Sequence, residues 1–185
     1  MDERVRSSYP EPMLVGVLSD THVNDRGTRR LPRQVLDLFA RFRVGLILHA
    51  GDLNSLTVLD ELERVAPTLA VRGNSDLIET RRALPAEREI GICGQRILLV
   101  HGDAGPSANR TADALAGQAG CVIYGHSHVP RMQLVGDTVM FNPGSPTDKR
   151  WWPDYSIGLL QVGPEGFAPE LVVFRDAEDL GRITP

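Results

Sequence analysis

The segment MLVGVLSDTH occupies residues 13–22, and its reading sets the fold class. An apolar run, Met13–Leu18, stops abruptly at Ser19-Asp20-Thr21-His22, the pattern of a buried strand feeding a polar loop. Downstream, Leu31, Val35, Leu38, Phe39 and Phe42 recur at helical spacing, with Pro32 tolerable in a first turn. A second apolar run, Val44–Leu48, ends in His49-Ala50-Gly51-Asp52. Leu56, Leu59, Leu62 and Val65 mark another amphipathic helix, and Thr68–Val71 a third strand ending in Arg72-Gly73-Asn74. Strand, helix, strand, helix, strand in this order predicts a parallel, right-handed α/β unit.

The second half changes character. Glu89–Ile92 and Ile97–Val100 flank a Cys93-Gly94-Gln95 turn and read as a hairpin with His101-Gly102-Asp103 at its exit. A helix is expected over Thr111–Gln118, then a strand, Cys121–Tyr124, running into Gly125-His126-Ser127-His128. Met132–Val135, Thr138–Phe141, Ser156–Val162 and Glu170–Arg175 read as further strands, with Gly136-Asp137 as a tight turn. A parallel first half and a hairpin-rich second half predict two packed sheets with helices outside. The expected organisation is a disordered lead over 1–12, a single domain over 13–175 and a C-terminal tail over 176–185.

Bulk composition narrows the function classes. The chain has 185 residues, 42% of them hydrophobic, and a net charge of −4, which suits one globular domain with a sizeable core. A mildly acidic chain is a poor nonspecific nucleic-acid binder. No apolar run approaches the roughly 20 residues of a membrane span, and MDERVRSSYPEP lacks the apolar centre of a signal peptide. Cys93 and Cys121 lie far from any CxxC pattern and read as reduced thiols, which fits a cytoplasmic location.

Each polar cluster falls where an apolar run stops: Asp20 and His22, Asp52, Asn74, His101, then His126 and His128. Carboxyl ends of strands are where α/β sites assemble, so these seven are expected to share one metal site. Imidazole, carboxylate and amide oxygen without thiolate suit Mn2+, Fe, Ni2+ or Zn2+. Seven ligands exceed one four-coordinate ion and suffice for two ions sharing a carboxylate. Two divalent ions against two aspartates leave about +2, which attracts a phosphoryl group.

The ordered series Asp20-x-His22, Gly51-Asp52, Gly73-Asn74, His101 and Gly125-His126-x-His128 resembles the calcineurin-like metallophosphoesterases. Short length, Gly73-Asn74-Ser75-Asp76 and Asn142-Pro143-Gly144-Ser145 narrow the resemblance to the small YfcE-type phosphodiesterase branch, which also includes the retromer subunit of eukaryotes. The resemblance implies a four-layer α-β-β-α sandwich of two mixed β-sheets flanked by helices. It further implies one divalent ion, foremost Mn2+, held by Asp20, His22, Asp52 and His128. A second would be held by Asp52, Asn74, His101 and His126, with Asp52 bridging. Asp52, Asn74 and His101 are the expected catalytic residues, and the expected reaction is hydrolysis of a small or nucleotide-like phosphodiester by a metal-bridging hydroxide. A protein-binding scaffold like the retromer relative and a nuclease are the competing readings. All seven ligands are retained, which a scaffold does not need, and the chain lacks the basic surface of a nuclease.

Larger relatives carry a histidine where this chain has Ser75; its loss removes general-acid help and predicts slow turnover or activated substrates. Asp76 reads as a helix cap or an acid, His49 as a core imidazole or a partner of Asp52, and Asp103 as a turn residue. Asn142-Pro143-Gly144-Ser145 reads as a rigid turn near the site. Arg72, Lys149 and Arg150 read as solvated charge. Trp151-Trp152-Pro153 reads as a subunit contact in a homo-oligomer, with local core or a substrate wall as the alternatives.

Overall fold

A computed structural model describes residues 5–24 and 26–185. The strands are β1 (Val5–Tyr9), β2 (Met13–Leu18), β3 (Leu46–His49), β4 (Thr68–Ala70), β5 (Glu87–Ile92), β6 (Gln95–Val100), β7 (Cys121–Ile123), β8 (Arg131–Val135), β9 (Thr138–Asn142), β10 (Tyr155–Gly163) and β11 (Gly166–Phe174). The helices are α1 (Arg33–Arg41), α2 (Thr57–Glu63), α3 (Ile78–Ala83) and α4 (Ala108–Asp113), with a 3-10 turn over Ala177–Arg182. One sheet has five strands in the order β11-β10-β2-β3-β4; the other has six, β1-β5-β6-β7-β9-β8. The parallel unit is β2-β3-β4, and β5-β6, β8-β9 and β10-β11 are antiparallel hairpins.

Two-residue alternation sorts the side chains into layers. Val15 and Val17 of β2 join Ile97 and Leu99 of β6 and Phe141 of β9 in a core between the sheets. Leu18 faces the other way, where it shares a core with Val35, Leu38 and Phe39 of α1 and with Val58 and Leu62 of α2. A third cluster joins Leu98, Val122 and Met140 to Ala108 and Ala112 of α4. Three cores between four layers make the fold an α-β-β-α sandwich. No helix among the described residues is long and apolar enough to cross a membrane.

The chain ends differ from the sequence reading. Residues 1–4 of the expected disordered lead lie outside the described residues, but Val5–Tyr9 forms β1, paired parallel to β5 from Val5↔Arg88 to Tyr9↔Ile92. Backbone pairing to an open sheet edge orders this segment without an apolar signature of its own. Residues 176–185 are docked rather than free. Leu180 is buried, and Arg41 donates to the Leu180 and Ile183 carbonyls. Helix α4 starts three residues before the expected Thr111, because the Ser107 side chain caps it by accepting from the Arg110 amide.

Candidate metal centre

Five strand ends supply the seven residues, and their loops are held by backbone and side-chain bonds. Asp20 N donates to Gly51 O (3.0 Å) and His22 N to Asp52 O (2.9 Å), which locks the loops after β2 and β3 together. The loop after β7 joins them through His126 N, which donates to Asp20 Oδ2 at 2.9 Å. Ser145 Oγ donates to the Asp20 carbonyl (2.8 Å), and Asn142 Nδ2 to the Gly125 carbonyl (2.9 Å). The Asn142–Ser145 turn is thus a brace behind the loops. Asp76, a candidate cap or acid from sequence, accepts from the amides of Gly73 and Asn54, each at 2.7 Å, and so fixes the Asn74 turn against the Asp52 loop.

These loops are tight enough to demand unusual backbone. Asp20, His22, Asp52, His126 and His128 all have φ between 45° and 67°, five of the nine non-glycine residues with positive φ among those described. Each such residue costs about 1 kcal/mol or more, so the surrounding bonds must hold it. Close approach also dictates glycine: a Cβ on Gly73 would lie 2.0 Å from Asp52 Oδ1, and one on Gly125 1.8 Å from Ser19 Oγ.

Two groups of ligand atoms form, each within 4.8 Å: Asp20, His22 and His128, and Asp20, Asp52 and His101. His128 Nε2 is 3.4 Å from Asp20 Oδ1; Asp52 Oδ2 is 3.4 Å from His101 Nε2 and 3.8 Å from His22 Nε2. His101 Nε2 is also 3.1 Å from Asn74 Oδ1. The His126 ring stands edge-on to His101, centroids 5.1 Å apart, and its nitrogens belong to neither group. All seven residues therefore meet at one end of the two sheets, with Asp20 placed centrally as well as Asp52.

Hydrogen-bond accounting tests whether a cation fits. His101 Nδ1 donates to the Ala50 carbonyl (2.8 Å) and His128 Nδ1 to that of Asp148, so each ring turns its Nε2 inward. Ser75 Oγ lies 3.3 Å from both Asn54 Oδ1 and His22 Nδ1, and so holds the His22 ring with its Nε2 turned inward. Buried Asp20 Oδ1 and His126 Nδ1 have no hydrogen-bond partner. Inward imidazole nitrogens and carboxylate oxygens, with an orphaned buried carboxylate oxygen among them, are the donor set of a coordination shell, and the residues fit divalent metal.

The electrostatics agree. Burial pushes Asp20 up to about 7 against the pull of His101. Burial acts upward on Asp52 too, but the hydrogen bond and charge of His101 and the bonds from Ser75 hold this carboxyl well below the usual range. His101 is lowered by burial, yet the hydrogen bond of Asp52 and the charges of Asp20 and Asp52 raise it to about 9. Without a cation, the site recruits a proton there instead. Burial lowers His22 and His126, and takes His128 to about 4; the Arg150 guanidinium adds to the lowering at all three. Arg150, read from sequence as solvated charge, is exposed but close enough to act on the site.

His49 is fully buried, bonds Thr21 Oγ1 at 3.1 Å and is held down to about 3 by burial, a neutral core imidazole without a bond to Asp52. Asp103 is exposed. Trp151 is 75% exposed and stands edge-on to Trp152. Cys93 and Cys121 are free thiols, Cys121 buried.

Residues 13–164 match the model of the calcineurin-like phosphoesterase superfamily domain. The chain belongs to that superfamily. It is 40% identical over 166 residues to a probable metallophosphoesterase of Methanothermobacter thermautotrophicus, covering 86% of this chain and 92% of the relative. Over 162 residues it is 30% identical to the phosphodiesterase YfcE of Escherichia coli, covering 77% and 84% of the two chains. Among solved structures it is similar to Vps29 of Entamoeba histolytica complexed with Zn2+, with a TM-score of 0.69, 27% identity, and coverage of 88% of this chain and 99% of that one. This phosphoesterase thus shares its fold with hydrolases and with a sorting protein, and its own site must distinguish them.

Proposed function

We propose that the chain is a dinuclear metal-dependent phosphodiesterase acting on a small or nucleotide-like phosphoester. The observation that carries this reading is the set of inward ligand atoms crowded together: His22, His101 and His128 Nε2, Asp52 Oδ2 and the unpartnered Asp20 Oδ1. Asp20, His22, Asp52 and His128 would hold one ion, and Asp52, Asn74, His101 and His126 the second, Mn2+ being foremost among Mn2+, Fe, Ni2+ and Zn2+. When bound, such a pair supplies Lewis-acid charge to phosphate oxygens and lowers the pKa of water.

The protein's own groups do the rest. Asn74 and Ser75, both exposed at the centre's mouth, contact the phosphate, and the nearby Arg150 guanidinium attracts its charge. Asp52 and His101 stay fixed by Ser75 and Ala50 while the ester is positioned. Ser75 is a weak proton donor, so good leaving groups are favoured; a general acid is worth roughly 10²–10⁴-fold. Free thiols suit a reducing cytoplasmic setting.

Hydrolysis of bis-p-nitrophenyl phosphate and p-nitrophenyl phosphate, side by side with Mn2+, Ni2+, Fe2+ and Zn2+, tests the reading. The diester should be cleaved faster, with two ions per chain by elemental analysis. Faster monoester cleavage overturns the diester assignment. Silence with every metal favours a protein-binding scaffold, the reading that the Vps29 likeness supports.

A further inference from the structure

Beside the metal centre lies a cavity of about 590 Å3, walled by Val23, Asn24, Asn54, Leu77, Ile78 and Glu79 among others. Its walls come from segments that each follow a candidate ligand: Val23 and Asn24 follow His22, Asn54 follows Asp52, and Leu77 to Glu79 follow Asn74. Ser75 bridges a residue of the centre and a residue of the cavity wall. Ser75 Oγ touches His22 Nδ1 on one side and Asn54 Oδ1 on the other, each at 3.3 Å.

The lining is chemically mixed. Leu77 is 63% and Ile78 68% exposed, and the fold does not need them, since Thr80 is the buried residue of α3. Two large aliphatic side chains held in water at the edge of a site offer the faces of a planar group something to cover. The carboxamides of Asn24 and Asn54 offer hydrogen bonds to its edge. Arg26 and Glu79 also line the cavity and cancel in charge, which suits a neutral occupant rather than a second phosphate.

We infer that this cavity seats one ester arm of the substrate, and that the arm is a neutral heteroaromatic group of the nucleobase type. The inference rests on the phosphodiesterase reading and deepens it. The phosphate lies at the metal centre, and the arm passes Ser75 to reach Leu77 and Ile78. A bulkier side chain at position 75 would narrow that passage.

Two diesters with one leaving group isolate the arm: the p-nitrophenyl ester of thymidine 5′-phosphate and methyl p-nitrophenyl phosphate. The wild type should favour the thymidine ester in kcat/KM by about tenfold or more. In the Leu77→Ser/Ile78→Ser double variant, both positions being exposed, that ratio should fall to within about twofold of unity. A wild-type ratio near unity, or a ratio that survives the double substitution, overturns the inference. Methyl NMR of Leu77 and Ile78 in the Zn2+-loaded protein gives a readout that needs no turnover. Thymidine 5′-monophosphate should shift both residues and inorganic phosphate should not; equal or absent shifts overturn the pocket. If neither ester is cleaved, the phosphodiesterase reading fails while the methyl titration still decides the cavity.

Discussion

His22 and His128 meet Nε2 to Nε2 at 3.1 Å, although 106 positions separate them in the chain. His128 donates its other ring nitrogen to the Asp148 carbonyl, so its Nε2 presents a lone pair, and His22 Nδ1 lies 3.3 Å from Ser75 Oγ. A cation between the two rings would take a lone pair from each. The pair is therefore a candidate for holding a metal ion, made by loops that only the fold brings together.

Asp52 is the carboxylate most exposed to that logic, lying within 4 Å of both His22 and His101. Asp52→Asn should retain the fold but lower metal content and cut diester turnover by about 10²-fold or more. Elemental analysis and initial rates on the same preparation check this; normal metal content with full turnover would remove Asp52 from the site.

Asp76 acts through backbone. Asp76→Ala strands the Gly73 and Asn54 amides and should cost about 1–3 kcal/mol in urea unfolding. Turnover of activated and poor esters should fall in parallel with metal occupancy. A loss confined to poor leaving groups, at full occupancy, would instead make Asp76 the proton donor.

Gly125 is fixed by sterics. Gly125→Ala places a methyl against Ser19 Oγ and Asp20 Oδ2, and should destabilise by about 1–3 kcal/mol while weakening metal uptake. Calorimetric unfolding with and without metal checks it, and an unperturbed variant would contradict the close approach.

The metal-free protein should lose stability as pH rises from 6.5 to 9. Folded His101 keeps its proton to about 9 against an ordinary value of 6.5. A raised folded value means stabilisation fully present below the ordinary pKa and lost on passing the folded one. Urea unfolding in chelator at pH 6.5 and 9 should show the loss, and saturating Mn2+ should reverse it. Stability rising over that range would contradict the Asp52–His101 pairing.

Much of the candidate site was legible because strands end where apolar runs end. Asp20, Asp52, Asn74, His101 and His126 each sit just past such a run; the structure brings ligand atoms of Asp20, Asp52 and His101 together with those of His22 and His128, and sets Asn74 and the His126 ring beside His101. What escaped the sequence depends on partners rather than patterns. VRSSY has no apolar alternation, and becomes β1 through backbone bonding to β5. Helix α3 buries only Thr80, too little for a helical stripe. The central place of Asp20 and the reach of Arg150 depend on loop geometry that spacing does not encode. The C-terminal turn did carry a readable signal, since Asp176 and Asp179 form a capping box.

The candidate ligands are shared between the sheets. Asp20, His22, Asp52 and Asn74 follow strands of the five-stranded sheet, whereas His101, His126 and His128 follow strands of the six-stranded one. A cation held by both sets rivets the sandwich at one end, so the two layers cannot slide or part without first surrendering it. Catalytic competence and mechanical integrity would then be read by the same atoms, and a chelator should weaken the fold as it silences the enzyme.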